Sequence, residues 1–369
     1  MSKSGRPLSV LHLLDAAAKD RTDLVLADFS AEQVRWAVRA GLGPWLRRCT
    51  ARDAAAPASP LWPLVHGADL TGRVIAAEQL DATAEILDAC DGHAAPLTLL
   101  KGISVAEQYY PEPHLRVMGD IDLLVDVDAL PDVRARLLGL GYRDESTYPP
   151  EFYLGHHHLQ PLFHPRRRVW VELHWTLFPP TGRMGSERAF TLESVLAERR
   201  ASTFRGRPVY RLSDELQLVY LAAHWAYGLN LERAMVGMLD VARLLTSSTP
   251  LHWARILEWI PASRTSSHVC LMLTYLARRG LVDLDPELLR QVIRRQRSFG
   301  RTTLQAIHAV IDRYVVGGCE FGTLMSERNV GILWDALLSP GPPARNVLTM
   351  GWNLLPSRSW LTRALGVRP

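Results

Sequence analysis

Lysine is the residue this chain of 369 most nearly lacks. Lys and Arg together number 42, but only Lys3, Lys19 and Lys101 are lysines, which leaves 39 arginines, a bias that fits a GC-rich coding genome. Cysteine is scarce as well: Cys49, Cys90, Cys270 and Cys319 stand far apart with no C-x-x-C pair, so neither a zinc knuckle nor a disulfide framework is indicated. No apolar run approaches the roughly 20 residues needed to span a bilayer. Ser2 to Pro7 lead into a helical pattern that already carries Asp15 and Lys19, so no signal peptide is expected and a cytoplasmic location is the simplest expectation. An extreme charge is missing too. A net charge of +4 and a pI near 9.0 permit a nucleic-acid partner without requiring one.

What remains is an ordinary globular composition, 47% hydrophobic and 22% charged. The length exceeds the roughly 250–300 residues at which single cores stop growing, so two or three packed modules are expected. Helical periodicity covers 8–20 and 30–48, the second opened by the capping box Ser30/Gln33. A Pro/Ala-rich connector follows at 52–62. A helix is expected from about Leu70 to Cys90, with Val74, Ile75, Leu80, Ile86 and Leu87 as its apolar stripe. Leu130–Leu140 reads as a helix closed by Gly141. The stretches 152–164 and 169–175 read as paired strands joined by Pro165 and Arg166-Arg167-Arg168, more a solvated hairpin turn than a nucleic-acid clamp. Residues 208–211 supply another strand, and Ser213 caps a helix starting at Asp214. From there helices are expected at 214–227, 232–246, 252–259, 266–280, 286–297 and 300–315, without an internal repeat. The tail is Pro-broken, and its Trp352, Leu354, Leu355, Trp360 and Leu361 are read as packing on the body rather than on a membrane.

The chain is organised around LTLLKGISVAEQYYPEPHLRVMGDIDLLVD, residues 97–126. In Gly119–Val125 charge alternates with aliphatic residues. On a strand that places Asp120 and Asp122 side by side on one face and Ile121 and Leu123 on the other. Two crowded carboxylates repel each other and resist burial unless a cation lies between them, so the pair reads as half of a divalent-metal site. Lys101, the one lysine after residue 19, sits against the turn at Gly102, where a compact ammonium suits phosphate. Trp170, Glu172 and His174 share a strand face. Histidines 156, 157, 158, 164 and 174 suggest zinc, yet consecutive strand residues point to opposite faces and no cysteine supports them.

Gly102 and Ser104 at a helix start, followed by Asp-Ile-Asp on the next strand, resemble the polymerase-β-like nucleotidyltransferase superfamily. More narrowly, LKG, YYPEPHLR, GDIDLLV and VELHW resemble the family of uncharacterised bacterial nucleotidyltransferases. The motifs cover residues 97–176, with a weaker likeness to about 250. The superfamily has Gly-Ser or Gly-Gly adjacent, whereas Ile103 intervenes here. The resemblance implies an α/β (α+β) polymerase-β-type core at 93–212, between a helical N-terminal region (1–92, scaffold or acceptor-side wall) and a larger helical C-terminal region (213–369). It implies transfer of an NMP from an NTP, ATP by default, to an acceptor hydroxyl of a small molecule or peptide, with pyrophosphate released. Mg²⁺, or Mn²⁺ in its place, would be held by Asp120, Asp122 and Glu172, the last as ligand or general base. Lys101, Gly102, Ser104 and Arg116 are the nucleotide-binding candidates; His158, His174, His224 and Asp240 match family positions and are candidates for the acceptor pocket. For Asp240 the alternative is a structural salt bridge to Arg233 or Arg243; for Arg116 it is a phosphate contact against pairing with the acidic cluster. Two rival functions stand beside this one: a toxin-like transferase acting on tRNA or protein, and a nucleotide-binding regulator without turnover.

Overall fold

The computed structural model describes residues 8–92, 97–146, 148–180, 182–227, 231–247, 250–296 and 298–318; the tail and Cys319 lie outside them. Three short helices come first, α1 (Val10–Ala18), α2 (Ala31–Arg39) and α3 (Gly43–Cys49). The expected capping box opens α2, with Ser30 Oγ accepting from Gln33 N and Gln33 Oε1 accepting from Ser30 N. The single helix expected at 30–48 is two, because Gly41 turns the chain at φ +78° and Pro44 starts α3.

Helix α4 runs Trp62–Cys90, eight residues earlier than its periodicity suggests, with Pro63 in its first turn. Its buried seam is Val65, Asp69, Gly72, Ala76, Gln79, Thr83, Ile86 and Cys90, spaced alternately four and three. The expected stripe was wrong at Val74 and Ile75, which are 64% and 40% exposed. At Gly72 the helix packs closely, and a Cβ there would come within 3.1 Å of Pro44.

Seven strands follow in the order β3-β4-β5-β2-β1-β7-β6: β1 (Thr98–Leu99), β2 (Asp120–Leu124), β3 (Arg143–Asp144), β4 (Leu162–His164), β5 (Val169–His174), β6 (Arg199–Phe204) and β7 (Arg207–Leu212). The β2/β5 and β1/β7 pairs are parallel and the others antiparallel. Strand β6, polar and at the sheet edge, escaped the hydrophobic pattern; it turns into β7 through Arg205 and Gly206, both at positive φ as a tight hairpin requires. The strand expected at 152–164 is confined to β4. Pro150–Gly155 is a 3-10 segment, and His158 makes one isolated bridge to His174. Arg167, in the β4–β5 turn, is tied down by Glu78 and Glu85 of α4, both at 3.1 Å.

Helices α5 (Lys101–Tyr109), α6 (Leu130–Gly139) and α7 (Leu192–Ala197) connect the strands. Gly141, at φ +98°, ends α6 as expected. The rest is helical: α8 (Asp214–Tyr227), α9 (Leu231–Thr246), α10 (Trp253–Trp259), α11 (Arg264–Arg278), α12 (Pro286–Arg295) and α13 (Arg301–Val310). Ser213 Oγ accepts from Leu216 N at the start of α8.

Two buried clusters hold the molecule. One joins α1–α3 to the helices after residue 213. The other packs Ile121, Leu123, Val171 and Leu173 under the second half of α4 and α6. The opposite face of β2 and β5 is thereby left for charged side chains. Among the described residues no helix is long and apolar enough to cross a membrane.

Candidate active site

Parallel pairing sets Asp120 opposite Trp170, Asp122 opposite Glu172 and Leu124 opposite His174. The period of two then aims Asp120, Asp122 and Glu172 to one side while their aliphatic neighbours fill the core. Asp122 is 2% exposed, yet it is paired: Lys101 Nζ donates to Oδ1 at 2.9 Å and His174 Nε2 donates to the same oxygen at 2.8 Å. Burial alone would raise its pKa, but Lys101 and His174 hold it well below the carboxylate range. No such partner reaches Asp120 among the described residues. Repulsion from Asp122, then burial and Glu172, pushes it up to about 6. His174, fully buried, also lies 3.4 Å from Glu172 Oε2; burial opposes its charge, and the bonds to Asp122 and Glu172 raise its pKa on balance.

Donor atoms of Asp122, Glu172 and His174 all fall within 4.8 Å of one another. The sequence-based set was Asp120, Asp122 and Glu172; in this group His174 stands where Asp120 was expected, and Asp120 lines the same cleft outside it. A dense group of hard carboxylate oxygens whose mutual repulsion drives up Asp120 suits a divalent cation. The histidines expected to diverge converge instead, because residues 156–158 do not form a regular strand. The rings of His157 and His158 lie 5.1 and 5.3 Å from that of His174.

Lys101 begins α5 at φ +37°, a left-handed conformation costly for a residue with a side chain. This turn is what carries the ammonium back onto Asp122. Gly102 is needed beside it, because a Cβ there would lie 2.5 Å from Arg116 Nη1. Arg116 Nη2 donates to Asp240 Oδ2 at 2.8 Å, and Tyr110 Oη donates to Asp240 Oδ1 at 2.6 Å. Asp240, 1% exposed, is thus held by Arg116; Arg243 instead donates to the Tyr109 and Ala18 carbonyls.

These groups line one cleft of about 780 Å³, which contains Lys101, Gly102, Arg116, Asp120, Asp122, His158, Glu172, His224 and Asp240. Burial, then Lys101, holds His224 neutral with its pKa lowered to about 3. His158 Nδ1–H donates to the Leu159 carbonyl (2.8 Å), leaving Nε2 3.9 Å from Glu172. His174 lies beneath Asp122, outside the lining. Ser104 is not brought to the cleft. It is fully buried, with Oγ accepting from Gln108 Nε2 at 2.9 Å and from Arg211 Nη1 at 3.4 Å. Its place three residues after Lys101 turns it toward β7.

Sequence reasoning missed Glu145, Ser146, Tyr148, Tyr153, Trp225 and Arg233, which also line the cleft. Trp170 was placed on the face of Glu172 but given no role. The one available signal was the aromatic density of Tyr148–His158 beside a strand bearing a candidate acid.

A sheet with three acids on adjacent parallel strands facing a cleft, entered by a strand-to-helix turn, is compatible with a nucleotidyltransferase core. The profile of the family described as uncharacterised nucleotidyltransferase matches residues 31–280, more than half of the chain, and the chain belongs to that family. No curated protein and no solved structure matches it.

Proposed function

We propose that the chain is a nucleotidyltransferase of the polymerase-β type, with residues 93–212 as its catalytic core and the flanking helical regions as walls of the cleft. It moves an NMP from an NTP, ATP by default, to an acceptor hydroxyl. The observation that carries this reading is the placement of Asp120, Asp122 and Glu172 on paired strands beside the Lys101–Gly102 turn.

Asp120, Asp122 and Glu172 would hold Mg²⁺, or Mn²⁺ in its place, which when bound neutralises charge on the phosphoryl oxygens. Lys101 and the backbone N–H groups of the turn take the departing phosphates. The acceptor oxygen forms its bond to the α-phosphorus as the bond to pyrophosphate breaks. Where Glu172 does not ligate the cation it takes the acceptor's proton instead, and His174 keeps Asp122 ionised and fixed. Arg116 acts through Asp240 to hold α9 against the turn.

Incubation with α-labelled and γ-labelled ATP tests the reaction. Label retained on acceptor from the α position alone is expected, and Asp120→Asn and Asp122→Asn should each abolish it. Retention from γ alone would make the protein a kinase, and near-normal turnover by either variant would remove the acids from the reaction.

A further inference from the structure

The cleft has a side that the nucleotidyl reading leaves unused. Across the sheet the order is the Lys101–Gly102 turn beside β1, Asp120 and Asp122 on β2, then Trp170 and Glu172 on β5. Beyond β5 runs the segment 157–159, with Leu159 N donating to the Leu173 carbonyl at 2.9 Å and Trp175 N to that of His157 at 3.0 Å. The chain preceding it forms a wall. Tyr153 lies with its ring 5.8 Å from that of His158, and Ser146 Oγ and Tyr153 Oη are 2.6 Å apart. Tyr148 stacks on Phe152 at 4.4 Å and 15° between planes.

Glu145, Ser146, Tyr148, Tyr153, Pro161 and Trp170 line this side. Its rings are unusually wet, Tyr148 being 54% and Phe152 45% exposed. Among the described lining residues the cations are Lys101, Arg116 and Arg233, and none belongs to this wall. Lys101 stands on the opposite, turn side beside Asp122, and Arg116 is paired with Asp240.

The nucleophile and the leaving group occupy opposite sides of the α-phosphorus. If pyrophosphate leaves toward Lys101, the acceptor must come from the Glu172 side, against this wall. A polyanion there would meet Glu145, Glu172 and Asp120, and among the described residues lining this wall none is an arginine or lysine to pair its phosphates, whereas nucleic-acid sites depend on such cations. Flat rings take the apolar face of a sugar or an ammonium group, and Glu145 offers an acceptor to hydroxyls and amines, while Ser146 Oγ is held by Tyr148 N and Tyr153 Oη. We infer that the acceptor is a small polyhydroxylated molecule of saccharide type, uncharged or cationic, seated on Tyr148, Tyr153 and Trp170. This rests on the nucleotidyl reading above.

The test presents the full chain with Mg²⁺, α-labelled ATP and three acceptor sets: neutral oligosaccharides, amino oligosaccharides and oligoribonucleotides. Label should enter a saccharide set only. Tyr148→Ser, at an exposed position, should lower kcat/KM for that acceptor about tenfold, the size of one lost stacking contact, while Kd for ATP stays within about twofold. Glu145→Lys should penalise amino oligosaccharides more than neutral ones. Intact ATP binding with label entering the oligoribonucleotide, or with no saccharide labelled, overturns the inference and leaves the nucleotidyl reading standing. Absence of Mg²⁺-dependent ATP binding brings down both.

Discussion

Replacing Asp240 separates a structural acid from a substrate-binding one. Its carboxylate is 1% exposed and receives Arg116 and Tyr110 across 124 and 130 residues of chain. Asp240→Ala strands a half-buried guanidinium and an unpaired buried phenol, and breaking such a pair costs up to about 3–5 kcal/mol. With unfolding entropy near 2.1 cal/mol/K per residue, roughly 300 ordered residues give about 0.6 kcal/mol/K, so the melting temperature should fall by up to roughly 5–8 °C. Asp240→Asn keeps an acceptor for Tyr110 and should fall less. The double variant Arg116→Met/Asp240→Leu removes both charges and should recover much of the loss. Calorimetry or a fluorescence melt on the four proteins measures this. An unchanged melting temperature in Asp240→Ala, or a double variant that melts no higher than Asp240→Ala, would refute the argument.

Lys101→Gly relieves the left-handed strain, worth about 1–2 kcal/mol, but removes the ammonium from Asp122; titration calorimetry should show ATP binding at least about tenfold weaker, and unaltered affinity would return Lys101 to the fold. Gly102→Ala sets a methyl 2.5 Å from an Arg116 that Asp240 pins in place, so the denaturant midpoint should drop by the equivalent of about 1–3 kcal/mol; a wild-type midpoint would show that Arg116 yields freely. His268 is 1% exposed, and burial, with Arg264 adding to it, lowers its pKa to about 3. The unfolded chain then binds the extra proton below about pH 6.5, so this contribution to stability is full above that pH and falls by up to about 1.4 kcal/mol per unit as pH drops toward the folded value. Between pH 6.5 and 5 wild type should lose about 2 kcal/mol more than His268→Asn in urea titrations, and parallel slopes would contradict the burial argument.

Local rules determined a good deal. Alternation in Asp120–Leu124 separates acids from core because a strand has a period of two whatever it pairs with. Ser30, Ser213 and Gly141 mark helix ends because their side chains or backbone freedom act within a turn. The scarcity of lysine made Lys101 conspicuous before any contact was known. Tertiary structure decided the rest. The β2/β5 register, which sets Asp122 beside Glu172, depends on which faces α4 and α6 cover. The pairing of Asp240 with Arg116, while Arg243 turns to the Tyr109 and Ala18 carbonyls, follows from α9 meeting the turn at Gly102, and no local pattern encodes that meeting. Ser104 matched a motif yet faces Arg211, because the helix phase set at Lys101 turns it inward. The aromatic wall of Tyr148 and Tyr153 was invisible for the same reason: an irregular segment has no period, and only its pairing with the edge of β5 brings it to the acids.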